Sequence, residues 1–255
     1  MTTEAEQADR LYTEVWPDYF ETQRRDLWYY ERLWLVLLRQ LETRTPIRVL
    51  TDFGSGPGFL LKLAQRRFWS TLGIEPSKLA REHASSIGVS SVSPMTAANF
   101  PMAFGTCEAG IATEVLEHCD DAEAALREWR GYIRSGGHLA LSVPNDNNPL
   151  QRLFGRLLAP RKSDSGGLIQ CEDRSRPWIH HTHKHYFNLK SLRELLERCG
   201  FEVVWQRTSF PVELLLVLPI PRKWAWKLSR LWPAPPFLWR LHIGRHCLVV
   251  ARKKS

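Results

Sequence analysis

Apolar residues near the start of the chain recur at three and four rather than at two. Leu11, Val15, Tyr19, Leu27, Tyr30, Leu33, Trp34, Leu37 and Leu41 follow the spacing of a helix with one buried stripe. This predicts an N-terminal helical cap over 1–44. After Pro46 the period changes: IRVLTDFG is a β-branched run closing on a glycine-rich turn, and FLLKLAQRR returns to helical spacing. STLGIEP then reads as a strand, and SKLAREHASSIG as a helix capped by Ser77 and stopped by Gly88. A weak strand is expected near Val89 to Val92, followed by AGIATEVL as a strand and DAEAALREWRGYIR as a helix. HLALSVP follows the Gly136-Gly137 stop as a strand, and LKSLRELLERCG is a helix with Asn188 as N-cap and Gly200 as its end.

Strands and helices alternating through short turns imply an α/β fold, with a parallel sheet covered on both faces. The last two strand patterns, FEVVWQRTS and HCLVVARK, flank a long Pro- and Trp-rich stretch with no evident crossover helix, so the last strand is expected to run antiparallel. The expected architecture is a Rossmann-like, doubly wound, seven-stranded sheet, mostly parallel with an antiparallel last strand and helices on both faces. A chain of 255 residues with 44% hydrophobic and 24% charged positions is expected to fold as one domain over 1–255. Within it, 45–145 is the core, 146–187 an insert placed as a lid, and 188–255 a C-terminal part carrying a Trp/basic insert at 211–241.

Charge changes the picture of the partners. The net charge of +8 is uneven: residues 150–255 hold 20 Lys/Arg against 7 Asp/Glu, which leaves 15 against 20 for residues 1–149. A basic C-terminal part favours anionic partners such as phospholipid headgroups, phosphorylated glycans or nucleic acid. Five scattered cysteines without a CxxC pair argue against a disulfide framework or zinc knuckle. The acidic, polar N-terminus and the short apolar runs show neither a secretory signal nor a spanning segment. A cytoplasmic protein is expected, with peripheral membrane contact as a further option.

The candidate chemistry begins where the first strand meets its helix. Asp52, Phe53, Gly54, Gly56 and Gly58 in DFGSGPG sit at the carboxyl end of the sheet, where doubly wound folds bind ligands. Glu75, at the end of the second strand, is placed to accept hydrogen bonds from a ribose diol. A dinucleotide fingerprint would have glycine at position 59, and this chain has Phe59. The GxGxG run with Asp in front resembles the cofactor loop of class I S-adenosylmethionine-dependent methyltransferases. The resemblance extends through Gly73-Ile74-Glu75-Pro76, Ala112 to His118, Ser135-Gly136-Gly137 and Leu141 to Asn145, covering roughly 45–205. It implies S-adenosylmethionine as cofactor, with Asp52 and the Gly54 to Gly58 backbone on its methionine part, Glu75 on its ribose, Glu114 near the methyl donor and Ala97 as a backbone contact to adenine. The acid usual in the family near that last position is Thr96 here.

Methyl transfer from a sulfonium needs alignment and water exclusion, and a hydroxyl or amine nucleophile must also lose a proton. Glu114, Glu117 and His118 close the fourth strand, and a stretch with His180, His181, His183 and His185 lies downstream. One reading makes EVLEH simply a strand ending with Glu114 near the methyl donor. The other makes Glu114, Glu117, His118 and His183 a divalent-cation site, a pattern similar to metal-dependent O-methyltransferases acting on RNA 3′-terminal ribose and on catechol-like ubiquinone precursors. Without a metal, His183 or His185 is the candidate general base.

The 145–187 stretch is longer than a usual strand-to-helix link and is expected to contribute to the acceptor site. In 211–241, Trp224, Trp226, Trp232 and Trp239 interleave with Arg and Lys, a composition that suits either a lid or an interfacial membrane contact. Nucleic acid ranks behind both, because no RNA-binding module accompanies the basic residues. The expected function is O-methylation of a small-molecule, lipid-linked or glycan acceptor. The alternatives are a metal-dependent RNA ribose 2′-O-methyltransferase and a non-catalytic S-adenosylmethionine-binding protein.

Overall fold

The computed structural model describes residues 4–10, 12–13, 19–68, 70–94, 105–146, 148, 183–209 and 244–254. Two helices open the described chain, α1 (Glu4–Arg10) and α2 (Tyr19–Glu42), both within the expected helical cap. Then follow β1 (Val49–Phe53), α3 (Phe59–Ala64), β2 (Ser70–Ile74), α4 (Lys78–Ser86), β3 (Val92–Ser93) and β4 (Cys107–Thr113). A 3-10 turn (Leu116–His118), α5 (Ala122–Tyr132), β5 (Ile133–Pro144), α6 (Leu189–Arg198), β6 (Phe201–Thr208) and β7 (His246–Lys253) complete the described elements.

The strands form one seven-stranded sheet in the order β3-β2-β1-β4-β5-β7-β6. Pairings from β3 across to β5 are parallel, and β7 runs antiparallel to both β5 and β6. The order reverses between β1 and β4, and this is the switch point at which such sheets bind ligands. Because β7 is antiparallel, its first residue, His246, pairs with Pro144 at the end of β5. His246 therefore lies on the same edge as the carboxyl ends of the parallel strands.

Period-two alternation buries both faces. In β5, Leu139, Leu141 and Val143 join one core with Leu126, Trp129, Leu192 and Leu196 from α5 and α6, while Ala140 joins a second core with Leu33, Leu37, Leu38 and Leu41 from α2. Each fully buried leucine contributes about 1.5–3 kcal/mol relative to exposure. Gly110 of β4 makes room for Phe53, since a Cβ there would come within 2.6 Å of that ring, and Phe53 stacks on Trp129 at 5.3 Å. The Phe53 side chain is thus a core element, and any contribution to cofactor binding at this position comes from its backbone.

Side-chain caps start three of the helices, at Ser77 and Asn188 as the sequence predicts and also at Asp121. Ser77 Oγ accepts the N–H of Ala80, Asp121 accepts those of Glu123 and Ala124, and Asn188 forms a capping box with Ser191. Three boundaries differ. β4 stops at Thr113, short of the expected strand through Leu116, because Glu114 leaves the strand at φ 57. β5 begins at Ile133, and Gly136-Gly137 lies within it where the register with β4 shifts, so the glycines accommodate a bulge instead of stopping an element. The weak strand is Val92–Ser93, while Val89 N–H closes onto the Ala84 carbonyl after α4. No helix among the described residues is long and apolar enough to cross a membrane.

Candidate cofactor and acceptor site

The loop after β1 turns through Gly54, Gly56 and Gly58 at φ 78, 51 and 82. The N–H groups of Gly54 and Ser55 donate to the Ile74 carbonyl at 2.8 and 3.0 Å, drawing the loop over the end of β2. Two of the glycines are also required by close approach. A Cβ at Gly54 would lie 2.6 Å from Val115 Cγ2, and one at Gly58 would lie 2.7 Å from Ala84 Cβ.

Two buried carboxyl groups sit beneath this loop. Glu75 Oε2 accepts the Gly56 N–H at 2.8 Å and Oε1 accepts the Ser77 N–H at 2.8 Å, leaving each oxygen a further lone pair. Asp52 is 1% exposed, and its Oδ1 has no hydrogen-bond partner. Burial, reinforced by the Glu75 charge, pushes the Asp52 pKa up to about 8. Burial likewise pushes Glu75 up to about 7, against the opposing hydrogen bonds from Ser77 and Gly56. Two desolvated acids, one with an orphaned oxygen, form a pocket suited to a ligand that brings positive charge and hydroxyl donors.

The first helix reaches this pocket, a contribution that sequence reasoning missed. Asp9 Oδ1 accepts Ser77 Oγ–H at 2.6 Å and the Leu79 N–H at 3.2 Å. Tyr12 Oη lies 3.6 Å from where a Gly56 Cβ would stand. Helical spacing alone gave no signal for either contact.

At the end of β4, Glu114 is the sole non-glycine residue at positive φ among the described residues, a conformation that costs about 1–3 kcal/mol. Its N–H donates to the Ser142 carbonyl at 3.0 Å, and Ser142 Oγ donates to Glu114 Oε1 at 2.6 Å. His246 Nε2 lies 3.2 Å from Glu114 Oε2. Burial alone would raise the Glu114 pKa, but the His246 imidazole, its hydrogen bond, the Ser142 hydroxyl and His183 outweigh it and hold the group below the usual range.

A second cluster lies beside it. One ligand atom from each of Glu117, His118 and His183 falls within 4.8 Å of the others. The His118 and His183 rings are 5.0 Å apart and nearly perpendicular, at 72°. Glu117 is 1% exposed, and neither of its carboxylate oxygens has a hydrogen-bond partner. Burial and the neighbouring Glu114 charge raise its pKa well above normal. The backbone brings His183 here: the N–H groups of Lys184 and His185 donate to the Glu117 carbonyl at 2.7 and 3.2 Å.

Of the four residues expected as metal ligands, the structure thus groups Glu117, His118 and His183, while the carboxylate of Glu114 is held by Ser142 and His246. His185 Nε2 faces the Asp120 carbonyl at 3.3 Å, outside the cluster. Ala97, His180, His181 and the 211–241 insert lie outside the described residues, as does most of 146–187.

The profile of the methyltransferase-domain family matches residues 21–206. A search of curated proteins finds no match. Solved structures with the same fold include a SAM-dependent methyltransferase of Thermotoga maritima, with 19% identity, TM-score 0.59, and 93% of this chain and 97% of that one covered. Another, from Archaeoglobus fulgidus, has 17% identity, TM-score 0.61, and 92% and 99% covered. A third, from Mesorhizobium loti, has 19% identity, TM-score 0.56, and 86% and 97% covered. The glycine loop, the paired acids beneath it and the matched profile together identify the chain as a member of the class I S-adenosylmethionine-dependent methyltransferase family, with S-adenosylmethionine as its cofactor.

Proposed function

We propose that the protein transfers the methyl group of S-adenosylmethionine to a hydroxyl oxygen of a small-molecule, lipid-linked or glycan acceptor, and that Glu117, His118 and His183 hold a divalent cation beside that acceptor. The observation that carries this reading is the grouping of those three donors within 4.8 Å around a buried carboxylate whose oxygens accept no hydrogen bond. An orphaned buried carboxylate is costly, and a cation removes the cost. One carboxylate and two imidazoles suit a divalent transition ion. When bound, such an ion supplies Lewis acidity that lowers the pKa of an acceptor hydroxyl.

The chain's own residues account for the rest. Asp52, the glycine loop and Glu75 bind and orient the cofactor, and the buried setting of these groups excludes water from an in-line displacement. His183 stands at the cluster and His185 does not, so His183 is the better candidate to take the acceptor proton if no ion is used. The basic excess in 150–255 favours an acceptor that carries phosphate.

Two measurements test the reading. Metal-depleted protein titrated with Co²⁺ is expected to develop a visible d–d absorption that Glu117→Gln abolishes. Methyl transfer from labelled S-adenosylmethionine to catechol, phospholipid, glycan and RNA acceptors is expected to require the ion. Turnover on a hydroxyl acceptor that survives chelation would remove the cation. Label entering RNA ribose alone would favour the ribose 2′-O-methyltransferase, and cofactor binding without transfer to any acceptor would favour a binding protein.

A further inference from the structure

A polar chain of buried side chains lies behind Glu114. Ser209 Oγ lies 3.3 Å from Tyr29 Oη, Tyr29 Oη lies 2.8 Å from His246 Nδ1, and His246 Nε2 lies 3.2 Å from Glu114 Oε2. Tyr29, Ser209 and His246 are all buried. The backbone N–H of His246 donates to Ser209 Oγ at 3.1 Å, which leaves the Ser209 hydroxyl hydrogen free to point at Tyr29. Tyr29 can then donate to Nδ1, which leaves the Nε2 proton facing Glu114. The chain runs in one direction and ends on a carboxylate, where Ser142 supplies the second donor.

We propose that His246 is a positioning residue: backed by Tyr29, it holds the Glu114 carboxylate in one orientation as a fixed negative charge for the cationic half of S-adenosylmethionine. This rests on the cofactor assignment. Three features carry it. First, Val115 packs against Gly54, so its neighbour Glu114 stands beside the glycine loop. Second, the Glu114 side chain is 24% exposed whereas that of Glu117 is 2% exposed, so Glu114 presents a face to a ligand. Third, Ser142 Oγ and His246 Nε2 each face a different oxygen of the carboxylate, so its orientation is fixed in a poorly solvated setting where a ligand cation meets it. Among the described residues, the other titratable groups that act on Glu114 or feel its charge are Glu117, His183 and Cys247.

The test is calorimetry on the full chain with S-adenosylmethionine, S-adenosylhomocysteine and methylthioadenosine. The second ligand lacks the sulfonium charge, and the third lacks the amino-acid half altogether. His246→Leu is expected to weaken S-adenosylmethionine about 5–10-fold relative to methylthioadenosine, and Tyr29→Phe about 2–3-fold, serving as the probe if Leu at 246 prevents folding. His246→Gln, whose amide can donate in place of Nε2–H, is expected to retain wild-type ratios. In a Glu114→Gln background, His246→Leu should add nothing.

If S-adenosylhomocysteine keeps its affinity, the charge serves the sulfonium; if it weakens in step, the charge serves the ammonium, and either result supports the role. Unchanged ratios in His246→Leu, equal weakening of all three ligands, or a loss that persists in the Glu114→Gln background overturns it. Failure of the wild-type chain to bind any of the three ligands instead removes the cofactor assignment, and this inference with it.

Discussion

The carboxylate of Glu75 accepts the backbone N–H of Gly56 at 2.8 Å, so an acid from the second strand holds the loop that follows the first. Asp52 lies beneath the same loop, and both acids carry pKa values above those of the unfolded chain, at about 7 and about 8. The folded, cofactor-free protein therefore retains protons that the unfolded chain releases. The stabilisation from this pair is fully present below about pH 4 and is lost as pH rises through 7 and 8. A cationic ligand reverses the preference, so binding of S-adenosylmethionine near neutral pH is expected to release protons. Calorimetry in phosphate and Tris buffers, which differ in ionisation heat, reads that release, and Asp52→Asn should diminish it. Proton uptake, or no buffer dependence, would contradict this account.

Gly54→Ala is expected to abolish detectable cofactor binding. The new methyl would meet Val115 at 2.6 Å on a backbone at φ 78, and strain of this kind costs about 1–3 kcal/mol before any clash is counted. Pairing it with Val115→Ala should recover part of the thermal stability, because that partner removes the collision and leaves the backbone strain.

Glu117→Gln should raise the melting temperature of metal-depleted protein. The change removes an unpartnered buried carboxylate while nearly keeping its shape, and an uncompensated buried polar group costs about 1–3 kcal/mol or more when charged. Added Co²⁺ should then stabilise the wild type and leave the variant unmoved. A variant that melts lower than the wild type without metal would show that the carboxylate is satisfied by other means.

Asn188→Ala serves as a control away from the chemistry. It removes the side chain that accepts the Lys190 and Ser191 N–H groups at the start of α6, at a cost of about 1 kcal/mol. Thermal melts should register the loss, and calorimetry should find cofactor affinity unchanged.

Much of this arrangement was legible in the residue pattern, for identifiable reasons. The β-branched run before Gly54 and the acid at position 75 are local signals, and the absence of a crossover before HCLVVARK carried enough topology to orient the last strand. What escaped were features set by tertiary contact. Glu114 reads as a strand residue by its neighbours, yet its backbone turns left-handed where Ser142 holds it. Tyr29 and His246 are separated by 217 positions, and no spacing rule links them. An indirect signal did exist: once β7 is antiparallel, its first residue must lie at the ligand edge, and a histidine there invites scrutiny. Asp9 and Tyr12 had no comparable marker.

The junction of β6 and β7 has a further consequence. Ser209 N–H donates to the His246 carbonyl at 2.8 Å, and Gly244 is pressed so tightly on Ser209 that no side chain fits there. The polypeptide thus departs at 209 and returns at 244 through neighbouring points on the final rung of the sheet. A connection of another length, or a brief hairpin, between these two points would leave the sheet's hydrogen-bond ladder intact.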